Sequence, residues 1–161
     1  MNTSSTADLI EDISRWYESY LGALPDILSG ALPRLFDFFA VPLLSLSSSG
    51  AVTLRDAADV VGMYDSMFDG LHPPEQVHAI ECGRTIRVLN ARSAVIAATW
   101  ERQDAEGNTL EKIPYENLVA DSGDGWRIVV MTKLDPELGA VGASPITLES
   151  PAMRITPQTG T

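Results

Sequence analysis

Cations are scarce in this 161-residue chain, with 11 Lys and Arg against 22 Asp and Glu and a formal net charge of −11. A nucleic-acid surface needs clustered cations to replace the counterions of phosphates, so the balance argues against that class of partner. Docking on anionic lipid is disfavoured for the same reason. Cys82 is the one cysteine, which leaves no internal disulfide and no thiolate-based zinc site. The two histidines, His72 and His78, do not make a metal motif, and no metal or other cofactor is implied. "DSGDG" is too short and too glycine-rich for a calcium loop. The most apolar run, "ALPRLFDFFAVPLLSL", is interrupted by Arg34, Asp37 and two prolines and falls short of a membrane span. The opening "MNTSSTADLIEDISRW" lacks the basic region and apolar core of a signal peptide, so a cytoplasmic location is the default expectation.

What is present is enough chain for one domain with its own core. Residues 1–6 read as a loose tail. Ser5 and Asp8 have capping-box spacing, and Leu9, Ile13, Trp16 and Tyr20 repeat at helical intervals behind them. A first helix is expected from about Ala7 to Leu21. Pro25 suits the first turn of a second helix, and Pro33 interrupts it. "RLFDFFA" reads as a short helical turn, and "VPLLSL" and "AVTL" as two strands around "SSSG". Thr53 and Asp56 again have capping-box spacing. The stripe Ala57, Val60, Val61, Tyr64, Met67 and Phe68 behind them marks a third helix, which ends at "GLHPP".

From there the period changes to two. "QVHAIECGRTIRVL" is a strand with a candidate bulge at Gly83, followed by "ARSAVIAATWERQ", "LEKIPYENLVAD" and "WRIVVMTKL". Glycine-bearing turns, "DAEGN" and "SGDG", join the last three. Residues 134–161 are rich in Pro, Thr, Gly and Ser and read as an extended or disordered tail, or as an arm on a partner. Helices first and a strand meander last is an α+β plan, in which the helices cover one face of the sheet.

Four stretches carry a resemblance: "ISRWYESYLGAL", "LRDAADVVGMYDSMF", "ATWERQDAEGN" and "NLVADSGDGWRIVVM". In this order they resemble the NTF2-like superfamily, in particular its SnoaL-like members, over residues 7–133. The resemblance implies a cone-shaped α+β fold around a deep pocket, with homodimers formed through the outer sheet face. It also implies a range of roles, from isomerases, dehydratases, polyketide cyclases and epoxide hydrolases to non-catalytic binding domains. A shared fold does not fix the reaction.

Alternation then nominates the pocket wall. Without a bulge, His78, Ile80, Cys82, Arg84, Ile86 and Val88 share one face. Ala94, Ile96, Ala98 and Trp100 share the next, as do Tyr115, Asn117 and Val119, and Trp126, Ile128 and Val130. Trp16 or Tyr20 and Tyr64 come from the helices, and Trp126 is expected near Asn117. The carboxylate base of the steroid isomerase branch would fall in "VPLLSLSSSG", which has no acid. Its partner acid would fall near Asn117, which cannot exchange a proton at neutral pH. The Asp-Arg-Asp set of the epoxide hydrolases has no match. Glu116 becomes the acid only if the register slips by one.

His78 is the acid–base candidate, because an imidazole titrates near neutrality; the competing reading is a partly exposed histidine at a strand start. A histidine beside tyrosines and an asparagine loosely resembles the dehydratase branch. Arg84 either binds a ligand oxygen or makes a surface salt bridge. Tyr17, Tyr20 and Tyr64 either donate to a ligand or are core phenols with satisfied hydroxyls. Trp16, Trp100 and Trp126 are core or pocket wall. Glu101 and Arg102 are expected as solvated charges near a hairpin end.

The expectation is therefore a small-molecule protein acting on a hydrophobic carbonyl compound by acid–base catalysis without a cofactor. Catalytic residues would be His78, Asn117 and Tyr64, and binding residues Trp16, Tyr20, Arg84, Trp100, Tyr115 and Trp126. The alternative is a non-catalytic binding or dimerisation module, which the missing acids favour.

Overall fold

A computed structural model describes residues 5–28, 30–68, 78–104 and 106–136. The chain runs α1 (Thr6–Leu28), a 3-10 turn (Leu32–Asp37), β1 (Phe39–Ser47), β2 (Gly50–Leu54), α2 (Ala57–Phe68), β3 (His78–Asn90), β4 (Ser93–Gln103), β5 (Thr109–Asp121) and β6 (Trp126–Lys133). The six strands form one sheet in the order β2-β1-β6-β5-β4-β3. Every pairing is antiparallel except β1 with β6, and the helices pack on one side of this curved sheet. This is the α+β plan expected from the sequence. Among the described residues no helix is long and apolar enough to cross a membrane.

The capping box at the start of α1 is present. The Asp8 amide donates to Ser5 Oγ at 3.2 Å, and the Ser5 amide donates to Asp8 Oδ2 at 2.9 Å. The buried side is Ile13, Tyr17, Tyr20, Ala23 and Ile27, a continuous helical stripe. That stripe carries the helix past Leu21, where it was expected to end, and Pro25 lies inside it rather than opening a second helix. A proline forfeits its own backbone bond. Here its ring sits on an exposed face, while Ala23 and Ile27 on either side stay buried. Pro33 opens the 3-10 turn, whose Leu35 is fully buried.

The cap of α2 is one turn later than expected. Asp56, not Thr53, accepts the Asp59 amide at 3.0 Å, and Asp59 in return accepts the Arg55 amide at 2.9 Å. Thr53 stays in β2, opposite Leu44. Val60 and Tyr64 are the buried residues of α2, and Ala57 is exposed. The "SGDG" turn depends on Asp121, whose Oδ1 accepts the amides of Gly123 at 2.8 Å and Gly125 at 3.1 Å. Both glycines have positive φ, of 112° and 93°, which a side chain would oppose.

Two extra residues decide which side chains face the helices. Glu81 pairs with Trp100 and Gly83 with Thr99, so Cys82 is unpaired and the bulge lies there rather than at Gly83. In β6, Ile128 pairs with Val119 and Val130 with Leu118, which leaves Val129 as the extra residue. Each insertion inverts the alternation beyond it. Ile80 and Cys82 are therefore exposed while Arg84, Ile86 and Val88 are partly covered, so the six residues from His78 to Val88 do not share one face. On β6 the covered set is Trp126, Ile128 and Met131, with Met131 in the place expected for Val130. Leu134 still pairs with β5, donating its amide to the Pro114 carbonyl at 2.9 Å. The remainder of the expected tail lies outside the described residues, as does His72.

Asp56→Ala should cost about 1 kcal/mol of stability, the usual worth of an N-cap, and Thr53→Ala less than about 0.5 kcal/mol. Urea unfolding of the two variants checks the assignment of the cap.

Candidate functional site

The helix-facing side of the sheet is built in cross-strand rows. The deepest is Phe39, Ile128, Val119, Ala94 and Val88, in which all but Val88 are buried. The next is Met131, Asn117, Ile96 and Ile86, then Lys133, Tyr115, Ala98 and Arg84. Ile113, Trp100 and Glu81 form the row after that, and Glu111, Arg102 and Ala79 the one beyond it. Polarity thus rises from a dry apolar end toward an end with ionisable groups.

Asn117 is the buried polar residue of this face, 8 % exposed, and its Oδ1 is buried with no hydrogen-bond partner. An unpaired buried carbonyl oxygen costs about 1–3 kcal/mol and calls for an explanation. Glu116, the alternative acid, is exposed, so the expected register of β5 holds.

Phenols surround this part of the face. Tyr17 and Tyr20 have ring centroids 5.8 Å apart, and Tyr20 packs edge-on against Phe39 at 5.7 Å. Phe39 in turn meets Tyr64 at 6.1 Å. Tyr20 and Tyr64 are hydrogen-bonded to one another. Burial pushes the Tyr20 hydroxyl up to about 12, an effect the bond from Tyr64 partly opposes. Burial, then the neighbouring Tyr20, raises Tyr64 well above the usual phenol range. Tyr115 is raised by burial and then by the charge of Glu111. Tyr17 is raised by burial and then by the charge of Glu81. All four therefore stay protonated at neutral pH and act through O–H groups, not as phenolate bases.

The bulge turns a carboxylate onto the same side. Glu81 pairs with Arg84 Nε at 3.0 Å, and its side chain is 13 % exposed. Arg84 also binds Glu18 of α1 and lies 4.7 Å above the Tyr17 ring. Glu81 Oε2 is buried and has no partner. Arg84 is thus an inward-facing tie between β3 and α1 rather than an outer-surface salt bridge. Glu81 was not among the residues expected here. The glycine at position 83 signalled a bulge, and carrying the inversion through would have brought Glu81 inward.

Tyr20, Tyr64 and Tyr115 lie within electrostatic reach of one another, Tyr115 and Asn117 stand in adjacent rows of the same face, and Arg84 and Trp100 stand in the Tyr115 row and the row beyond it. Trp16 is half-buried between Tyr17 and Phe38, at 6.3 Å from each ring, and its Nε1 is buried without a partner. Trp126 stands apart. It pairs with Asp121, four residues along β5 from Asn117, and its Nε1 donates to Asp12 Oδ2 of α1 at 2.8 Å. It fastens the helix to the sheet and is no neighbour of Asn117. His78 opens β3 opposite Gln103, and its side chain lies outside the described residues.

Glu101 and Arg102 are not free solvated charges. Glu101 binds Lys112 at 2.9 Å and Thr109 at 3.0 Å, contacts that lower its carboxyl to about 2, and Arg102 pairs with Glu111 at 3.3 Å. Among the described residues no group of three or more His, Cys, Asp or Glu converges as a metal site.

Among functionally curated proteins none matches the sequence. Solved structures do. A protein of unknown function with a cystatin-like fold from Nostoc punctiforme superposes with a TM-score of 0.59 at 13% identity, covering 84% of this chain and 96% of its own. An NTF2-like protein from Cytophaga hutchinsonii gives 0.52 at 17% identity, with 81% and 98% covered. An NTF2-like superfamily protein from Salmonella enterica serovar Typhimurium gives 0.56 at 17% identity, with 82% and 94% covered. Identities this low establish the fold and leave the activity open. The family described as "NTF2-like protein (DUF6841)" matches residues 11–136, most of the chain, and this chain belongs to it.

Proposed function

We propose that the helix-facing side of the sheet binds a small, largely apolar organic molecule that bears a hydroxyl or enolisable carbonyl group. The supporting observation is Asn117, whose buried Oδ1 lacks a partner among phenols that remain protonated. An acceptor so placed favours a ligand O–H, while the tyrosine hydroxyls favour a ligand oxygen. Together they suit the enol form of a carbonyl compound better than the keto form. The apolar rows on either side supply the rest of the affinity.

The chemistry that such a site serves is proton transfer beside a carbonyl, as in an isomerase, dehydratase or cyclase. Asn117 and Tyr64 hold the oxygen and stabilise the enol as it forms. A second reading, dimerisation through the outer face, has its own observation. Leu44, Val130, Leu118 and Val95 stand in one outer cross-strand row, and all four are only partly exposed in the monomer. A continuous apolar row of this kind is a candidate subunit interface.

Asn117→Leu should raise stability by about 1 kcal/mol, a gain in Tm of about 2–4 °C, because it removes an unpaired buried acceptor. It should also weaken binding of 2-naphthol, a planar hydroxyl-bearing probe, by at least about tenfold, the worth of one buried hydrogen bond. Calorimetry on both proteins decides the matter, and undiminished 2-naphthol affinity rejects the role of Asn117.

Exchange of the α-protons of 2-tetralone in D2O, followed by NMR, tests catalysis. The protein should accelerate it, and Asn117→Leu should lose at least about tenfold, the worth of one buried hydrogen bond to the reacting oxygen. No acceleration by the native protein leaves the binding function alone. For the outer face, Leu118→Lys should convert a dimer to a monomer in analytical ultracentrifugation, and a monomeric native protein overturns that reading.

A further inference from the structure

The Glu81 carboxylate is unevenly satisfied. Arg84 Nε holds Oε1 at 3.0 Å, and Tyr17 lies near enough to feel the charge of the same carboxylate. Oε2 is buried and has no partner. The charges around it do not balance either. Arg84 is shared with Glu18 of α1, so one guanidinium faces two carboxylates. Trp100 stands directly opposite Glu81 in the β3–β4 register, at about 5 Å between Cβ atoms for such a pair. A buried carboxylate oxygen, a local surplus of one negative charge and an adjacent indole are the components of a cation site.

We propose that Glu81, with Tyr17 and Trp100, forms a subsite for a protonated amine carried by the ligand of the helix-facing side. The proposal rests on the reading that this side holds a small molecule, and it adds the chemical class of the ligand's second end. A neutral hydroxyl would fill the hydrogen bond of Oε2 but leave the charge uncompensated. A ligand carboxylate would meet two carboxylates and is rejected. The chain's net charge of −11 also raises the local concentration of cations over anions. Glu81 and Asn117 lie two strands and two rows apart. Two rows are roughly 13 Å along the strand and two strands roughly 10 Å across it, a backbone separation of about 16 Å, so the two side chains reach inward and one elongated ligand meets them through opposite ends.

Three compounds with the same phenol end and different second ends test this: 2-(4-hydroxyphenyl)ethylamine, 2-(4-hydroxyphenyl)ethanol and 3-(4-hydroxyphenyl)propionate. Calorimetry on the native protein should give the amine at least tenfold tighter binding than the alcohol, and no measurable binding of the acid. Glu81→Gln should weaken the amine at least tenfold and leave the alcohol within twofold. Unchanged 2-naphthol affinity in Glu81→Gln, with a normal melting transition, shows that the variant is folded. If 2-naphthol binds but Glu81→Gln does not alter the amine, Oε2 holds solvent only and the subsite is overturned while the ligand face stands. If neither 2-naphthol nor any of the three binds the native protein, the ligand face falls and the subsite with it.

Discussion

The polar layout of the helix-facing side depends on one inserted residue. Cys82 has no partner in β4, and that single extra residue inverts β3 between Glu81 and Arg84. Without it, Glu81 and Arg84 would lie on opposite faces, because residues three apart on a regular strand do. With it, they form an ion pair on the same face and meet α1 together. The bulge therefore does two jobs. It delivers a carboxylate to the end of the sheet, and it gives α1 an electrostatic contact at the edge strand β3. The insertion at Val129 in β6 acts in the same way, exchanging Val130 for Met131 beside Asn117. Inserted residues of this kind recur where a sheet must bend and re-aim side chains.

The helix is held at both ends of its buried stripe by different physics. Near its start, Asp12 accepts the Trp126 indole proton, a partly buried bond to a charged acceptor. Further along, Glu18 reaches Arg84, and Arg84 lies over Tyr17. Between these ties the contact is aromatic, with Trp16, Tyr17 and Tyr20 against Phe38 and Phe39. Aromatic rings supply large apolar area, and a tyrosine also brings a hydroxyl that must find a partner when buried.

How much of this was legible follows from where the information resides. The α+β plan, the six strands, the α1 capping box and the register that buries Asn117 are written in local patterns of period 3.6 and 2. The length of α1 was not, because Pro25 reads locally as a start signal while the buried stripe through Ile27 overrides it. The cap of α2 was misplaced by one turn because Thr53 and Asp56 have the same spacing as Asp56 and Asp59, and only strand pairing tells them apart. Glu81 is missing from the expected face, and Ile80 and Cys82 are wrongly joined to it, for one reason. A bulge is a statement about two strands, and one strand's sequence shows the glycine but not which residue is left unpaired. Trp126 went astray because proximity along a hairpin was taken as proximity on the face, although its indole bonds to a helix more than a hundred residues away in sequence.

The distribution of acids is the last constraint. Where the resemblance implies a carboxylate, near Asn117, the chain has an amide instead. In the deep rows a carboxylate would be surrounded by Ile, Val and Met, with no cation in the same row to offset its desolvation. An amide there remains neutral and costs the protein only one unpaired oxygen. Further out the balance reverses. Arg84 stabilises a charge, so the carboxylate appears at Glu81, with Oε1 paired and Oε2 buried without a partner. Separating a neutral acceptor from a charged one in this way makes the two ends of the face chemically unequal. A ligand that satisfies both must itself be unequal, with its less polar end beside Asn117 and its charged end beside Glu81.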